Sequence, residues 1–369
     1  MFLLLKELKK YTMTLEELLN VYAENEIKRG SFALGTRNNY LSVIRMLQTM
    51  DIIHQKVMRI ETTDLQILFD DLGNGFYRED HTFHKPYSKS RICAYSALLT
   101  NAFAYAVYPL KIIKQNPMEH IALPVTRNET KIFSDMNHKE QVLSHETFLK
   151  IIAYLNSKDS PNALPIQIAY YTGLRLGEVC GLTWEDIHFD EQFLIVQRSV
   201  VLNCENKNRL EFTTPKRDKS RIVYFPNTLK KILKEEKKKQ KNIVCRNYYM
   251  EIQENGTLHY PLYSGVIDSK DKIAIHLVCI KKDGSYINRR SLACSCTRLN
   301  KHIDGLQDFH FHMLRHTYAT NLLVTGMNMQ EVKELLGHND IRTTMNIYVH
   351  NNEETMLKRI RKLDKIINS

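Results

Sequence analysis

Phe311-His312-Met313-Leu314-Arg315-His316-Thr317 is the stretch on which the reading of this chain turns. His312 and Arg315 stand three residues apart, so on a helix they share a face. Phe311 and Leu314 flank them, and Tyr318, Ala319 and Leu322 continue an apolar stripe. That spacing predicts a mostly buried helix, and charges carried into a buried helix need a purpose. Taken alone, the pair could equally be a surface His beside an exposed Arg.

Two other segments give it company. Upstream, Tyr171-Thr172-Gly173-Leu174-Arg175-Leu176-Gly177-Glu178 sets an Arg between two glycines at a helix start. A guanidinium there projects beside unpaired backbone N–H groups, which makes a natural phosphate site, although Arg in such a turn is commonplace. Downstream, Leu335-Leu336-Gly337-His338-Asn339-Asp340 is followed by Tyr348, which lies 348 − 315 = 33 positions after Arg315. A lone Tyr is most often packing, so its meaning depends on its neighbours.

Between these segments the period changes from 3.6 to 2. Phe193 to Val201, Leu210 to Thr214 and Arg221 to Phe225 predict a three-stranded antiparallel sheet, with Pro215 to Ser220 as a polar, lysine-bearing hairpin turn. Leu229 to Lys241 follows as a helix with seven lysines, read either as a solvated face or as a DNA contact. The stretch to about Ile275 is poorly periodic.

Helical periodicity rules the first 120 residues. Thr14 and Glu17 have capping-box spacing ahead of Leu15, Leu18, Leu19 and Tyr22. Further stripes are Tyr40, Val43, Ile44 and Leu47, then Leu65, Ile67, Leu68 and Leu72, then a long helix from Ser88 to Tyr108. These predict a bundle of four or five helices. Residues 126–142 are polar and aperiodic and read as a linker after Pro117 and Pro124. The domain reading is a short extension over 1–13, a helical domain over 14–125, and a second domain over 143–369 with an insertion around 236–275 and a tail over 351–369. The fold class is mainly α with a small antiparallel sheet, α+β.

Composition narrows the function. The 369 residues carry 52 Lys+Arg against 41 Asp+Glu, so the net charge of +11 favours a polyanion, either nucleic acid or an acidic membrane face. Insertion in a membrane is set aside, because the early apolar run Phe2 to Leu5 is far below the ~20 residues that span a bilayer. A cytoplasmic protein is expected. The seven cysteines form no CxxC pair, and Cys294-x-Cys296 has no partner cluster, so neither metal nor disulfide is called for.

With these segments assembled, the sequence resembles the tyrosine recombinase (phage integrase) family, most nearly the integrases of conjugative transposons and phages. The family pattern is an Arg in T-G-x-R-x-x-E, a Lys in a β-hairpin, H-x-x-R, L-G-H and a later nucleophilic Tyr. Here these are Arg175 with Glu178, Lys216, His312 with Arg315, His338 and Tyr348, in order, over residues 143–350. The preceding bundle resembles the family's core-binding domain. Lys219 is the alternative hairpin lysine; the Thr214-Pro215-Lys216 start favours Lys216.

The resemblance implies a site-specific recombinase that cuts and rejoins DNA without metal, ATP or cofactor. Arg175 and Arg315 would neutralise the reacting phosphate, Tyr348 would attack it, and Lys216 would be the general acid. His312 would assist proton transfer at Tyr348, His338 would hydrogen-bond a phosphate oxygen, and Glu178 would orient the set. Implied partners are double-stranded DNA attachment sites, further copies in a synaptic tetramer, and an excisionase or DNA-bending protein. The amphipathic tail, with Met356, Ile360, Leu363 and Ile367 on one face, would pack on its own domain or on a neighbour. With only a short extension ahead of Thr14, a complete arm-binding domain is not expected. Integration of a mobile element leads; chromosome-dimer resolution, a non-catalytic regulator and a type IB topoisomerase are the alternatives.

Overall fold

The computed structural model describes residues 12–30, 32–77, 82–124, 142–202, 210–213, 220–241, 248–252 and 258–337. The chain divides into two compact units, Met1–Asn137 and His138–Ser369. Apart from Val142, the expected linker lies outside the described residues, as do Lys216, His338, Tyr348 and the tail.

In the first unit, α1 (Leu15–Tyr22) starts with the expected capping box: Glu17 N–H donates to Thr14 Oγ1 at 3.3 Å, and Thr14 N–H to Glu17 Oε2 at 3.1 Å. Leu15, Leu18, Leu19 and Tyr22 are buried on one face. They meet Tyr40, Val43, Ile44 and Leu47 of α2 (Leu34–Leu47) and the inner face of α4 (Lys89–Val107) in one core. In α3 (Thr62–Asn74) the stripe differs from the one expected. Phe69 is fully buried with Leu65, Leu68 and Leu72, whereas Ile67 is 62% exposed. Positions 65, 68, 69 and 72 follow i, i+3, i+4, i+7, and a residue two after Leu65 is carried to the far side of the helix. A short hairpin, β1 (Phe76–Tyr77) with β2 (Phe83–His84), follows α3.

The second unit opens with α5 (His145–Ser157), capped by Ser144, then α6 (Ala163–Thr172) and the five-residue α7 (Leu176–Cys180). The β region corrects the expected single sheet. The run from Phe193 to Val201 is two strands, β4 (Phe193–Val196) and β5 (Ser199–Leu202). It breaks at Gln197-Arg198 because both side chains turn to buried Asp186, Arg198 Nη2 lying 2.8 Å from Oδ1. With β3 (Ile187–His188) and β7 (Arg221–Tyr224), β4 forms one sheet of order β3-β4-β7. β5 pairs instead with β6 (Leu210–Thr213), so the strands that flank the lysine-bearing segment belong to different sheets.

After α8 (Asn227–Gln240), the stretch that looked aperiodic contains β8 (Tyr248–Ile252), β9 (Leu258–Ser264) and β10 (Lys272–Ile275). They extend the second sheet into the order β10-β8-β9-β6-β5. β8 does alternate, with Tyr248 and Met250 buried, but Tyr249 puts an aromatic residue on its other face too and hides the period in the sequence. Leu229 and Leu233 anchor α8 in the core, and Lys237 lies over the ring of Trp184 at 5.3 Å. The chain then runs through α9 (Arg289–Leu299), α10 (Phe311–Val324) and α11 (Met329–Leu336). No described helix is long and apolar enough to cross a membrane.

Candidate active site

The site forms where α6 ends. Gly173 caps that helix in the left-handed region (φ 65°), and its N–H returns to the Ala169 carbonyl at 2.8 Å. A Cβ there would lie 2.5 Å from Tyr318 Cδ1 and 2.8 Å from Leu336 Cδ2, so close approach and backbone both require glycine. The turn delivers Arg175 as the first residue of the next helix start. Glu178 folds back onto it, accepting Arg175 N–H at 2.9 Å and Arg175 Nη1–H at 3.0 Å. T-G-x-R-x-x-E is thus a local machine: the glycine makes the turn, and the i, i+3 spacing lets the carboxylate hold its own arginine.

Glu178 is only 3% exposed and also takes a fork from Arg221, with Nη1 at 3.0 Å and Nη2 at 2.7 Å. Burial alone would raise its pKa; the Arg221 hydrogen bonds and charge, then those of Arg175, outweigh it and hold the carboxyl at about 2. It is an anion at any working pH.

Arg315 comes from the buried face of α10 and is 1% exposed. Its Nη1 donates to the Gly173 carbonyl at 2.8 Å and its Nη2 to the Leu336 carbonyl at 2.5 Å. Burial first, then the Arg175 charge, pushes its pKa below the usual guanidinium range. Arg175 Nη2 donates to the Gly337 carbonyl at 2.9 Å, and Arg221 Nε to the Leu335 carbonyl at 3.1 Å. Three arginines therefore cap three consecutive carbonyls at the end of α11, where the last turn lacks intrahelical donors and the dipole favours cations. His338 is the next residue in the chain.

His312 lies one turn before Arg315, edge-on to His316 with ring centroids 4.7 Å apart. The residue keeps an exposed edge, yet desolvation of its ring, then His316 and Arg315, lowers its pKa from 6.5 to about 4. Its imidazole is neutral near pH 7 and can accept a proton.

Of the seven residues singled out in the sequence, the structure brings Arg175, Glu178, His312 and Arg315 together; Lys216, His338 and Tyr348 lie outside the described residues. Sequence reasoning missed Arg221. It opens an alternating strand, where an Arg reads as an ordinary edge residue, and only its meeting with Glu178 marks it. Among the described residues no group of three or more His, Cys, Asp or Glu is placed to hold a metal ion.

The model of the phage integrase family matches residues 141–355. A curated relative, a "tyrosine recombinase XerC-like" protein of Caldanaerobacter subterraneus subsp. tengcongensis, is 31% identical over 274 residues, covering 71% of this chain and 63% of the relative. The integrase of Staphylococcus phage L54a is 22% identical over 96% of this chain and 94% of its own length. Among solved structures, the Tn1549 transposon integrase in complex with transposon right-end DNA superposes with a TM-score of 0.67 at 19% identity, over 95% of this chain and all of that one, a likeness of fold. Motifs, geometry and family model agree: the chain belongs to the phage integrase family, the tyrosine-type site-specific recombinases.

Proposed function

We propose that this recombinase cuts and rejoins duplex DNA at attachment sites through a 3′-phosphotyrosine intermediate, and that it integrates and excises a mobile element. The observation that carries the reading is the convergence of Arg175 and Arg315 on the Leu336 and Gly337 carbonyls, one step before His338, which Tyr348 follows ten positions on. Two guanidiniums suit the non-bridging oxygens of a phosphodiester, whose negative charge grows as a fifth oxygen attaches.

In this scheme the Tyr348 hydroxyl attacks phosphorus and its proton passes to a base, for which neutral His312 is suited. The bond from phosphorus to the 5′-oxygen breaks, and Lys216 gives that oxygen a proton. His338 donates to a phosphate oxygen, and Glu178 orients Arg175. The phosphotyrosine bond conserves the energy of the one broken, so attack by another 5′-hydroxyl rejoins DNA with no nucleotide consumed. The partners are DNA and further copies of the chain: lambda integrase has been solved as a dimer on a core site and as a tetramer on a Holliday junction. An excisionase or DNA-bending protein would set direction.

Relatives named XerC favour a second reading, chromosome-dimer resolution. The deciding experiment amplifies across the ends of the DNA that flanks the gene: a circular junction that depends on Tyr348 supports integration and excision, and its absence with retained cleavage supports resolution.

A further inference from the structure

Arg221 belongs to none of the motifs above, yet it is the residue through which the parts of the site are joined. Its place in space is fixed by β7, where it pairs with Val196 of β4 and where Val223, two residues on, is fully buried. Its side chain is 13% exposed and bonds in two directions. The fork closes on both oxygens of Glu178, and Nε holds the Leu335 carbonyl.

Charge explains what the fork does. Glu178 is buried and ionised and also touches Arg175. With Arg221 in place, three guanidiniums face one carboxylate, and 3 − 1 leaves a charge of +2 beside the end of α11. Without Arg221, the buried carboxylate is left with Arg175, which reaches it through Nη1 and the backbone N–H. Its attraction for Arg175 then competes with that of any phosphate, and the unpaired charge is costly enough to draw in a proton. The Leu335 carbonyl would also lose its donor, and with it one of the three tethers on the last turn before His338.

We propose that Arg221 is a positioning residue for strand cleavage: it occupies Glu178 so that the charge of Arg175 is left for the scissile phosphate, and it fixes the end of α11 from which His338 and Tyr348 follow. This rests on the recombinase reading above. Arg221 acts on the phosphate only through Glu178, Arg175 and the helix end, and that separates it from a third phosphate ligand.

The test uses the full chain and a duplex recovered by selecting random-sequence DNA on the wild type, nicked beside the cleaved phosphate so that the covalent adduct accumulates. Arg221→Met is expected to slow single-turnover adduct formation by roughly 10–100-fold, the usual cost of losing an orienting partner, with DNA affinity within about threefold of wild type. In a Glu178→Gln background the carboxylate that needs Arg221 is gone and the Leu335 tether is what remains to lose, so adding Arg221→Met should cost several-fold less than it does in the wild type. The Arg221→Met rate, relative to wild type, should also recover in part as pH falls, when the freed Glu178 takes a proton and releases Arg175; a loss of folding alone gives no such recovery. Arg221→Lys keeps the charge without the fork and should stay within about tenfold of wild type. Multiplied losses in the double variant, a fall in affinity equal to the fall in rate, or a lysine variant as slow as the methionine one would overturn the proposal. If the wild type itself forms no adduct, the recombinase reading fails, and this inference with it.

Discussion

Arg315 donates through Nη2 to the carbonyl oxygen of Leu336 at 2.5 Å, so a guanidinium buried in α10 holds the last turn of α11. A charge in that position has both a structural and a chemical use, and the two separate by experiment.

Arg315→Ala removes the donor from the buried Gly173 and Leu336 carbonyls and should destabilise the chain by about 2–4 kcal/mol. Arg175 has 29% of its side chain exposed, and Arg175→Ala should cost about half that or less. Both variants should lose roughly 10²–10⁴ in adduct formation with DNA affinity changed far less. Thermal melting and single-turnover assays decide; equal loss of affinity and rate would make the arginines binding residues only.

Tyr348→Phe removes one oxygen and leaves the ring. The variant should bind its DNA as the wild type does and form no covalent adduct on a nicked duplex. A persistent adduct with that variant assigns the nucleophile elsewhere.

His312 carries a pH signature. Its folded-state pKa of about 4 lies below the ordinary 6.5, so the fold prefers the neutral ring. The associated stability is complete above pH 6.5 and is lost as pH falls from there through about 4. Wild type should therefore lose melting temperature across that window faster than His312→Gln. Bound DNA brings negative charge toward Arg175 and Arg315, so the His312 imidazole signal, followed by NMR, should titrate at higher pH with DNA than without. An unmoved titration would place the phosphate away from this helix.

Gly173→Ala tests the turn. With φ at 65° and a new Cβ pressed 2.5 Å from Tyr318 Cδ1, the variant should lose about 1–3 kcal/mol. Cleavage should fall as well, because the Gly173 carbonyl that Arg315 holds must shift. An unchanged melting temperature would show that the turn relaxes freely.

Much of the site was legible because its rules are local. In T-G-x-R-x-x-E, three residues separate Arg175 from Glu178, and that spacing is itself the hydrogen-bond geometry observed. The stripe Leu15, Leu18, Leu19 and Tyr22 likewise announced a helix face that is buried. Where readings failed, one local pattern admitted two outcomes. Ile67 satisfied apolarity without satisfying the period. The strand run from Phe193 to Val201 was continuous in composition, yet Gln197 and Arg198 found a buried Asp186 and split it between sheets.

The sequence by itself determined the helical bundle, the α+β second unit, the family and four residues that the structure gathers, because helix period, capping and motif spacing act over three or four positions. Only the tertiary structure decided that Arg221 closes on Glu178 and that Arg221, Arg315 and Arg175 meet Leu335, Leu336 and Gly337 in turn. The physical reason is burial. A carboxylate removed from water, and carbonyls left open at the end of a helix, must find donors wherever the fold brings them. Those donors came from a strand and a helix whose distance along the chain carries no information about their distance in space.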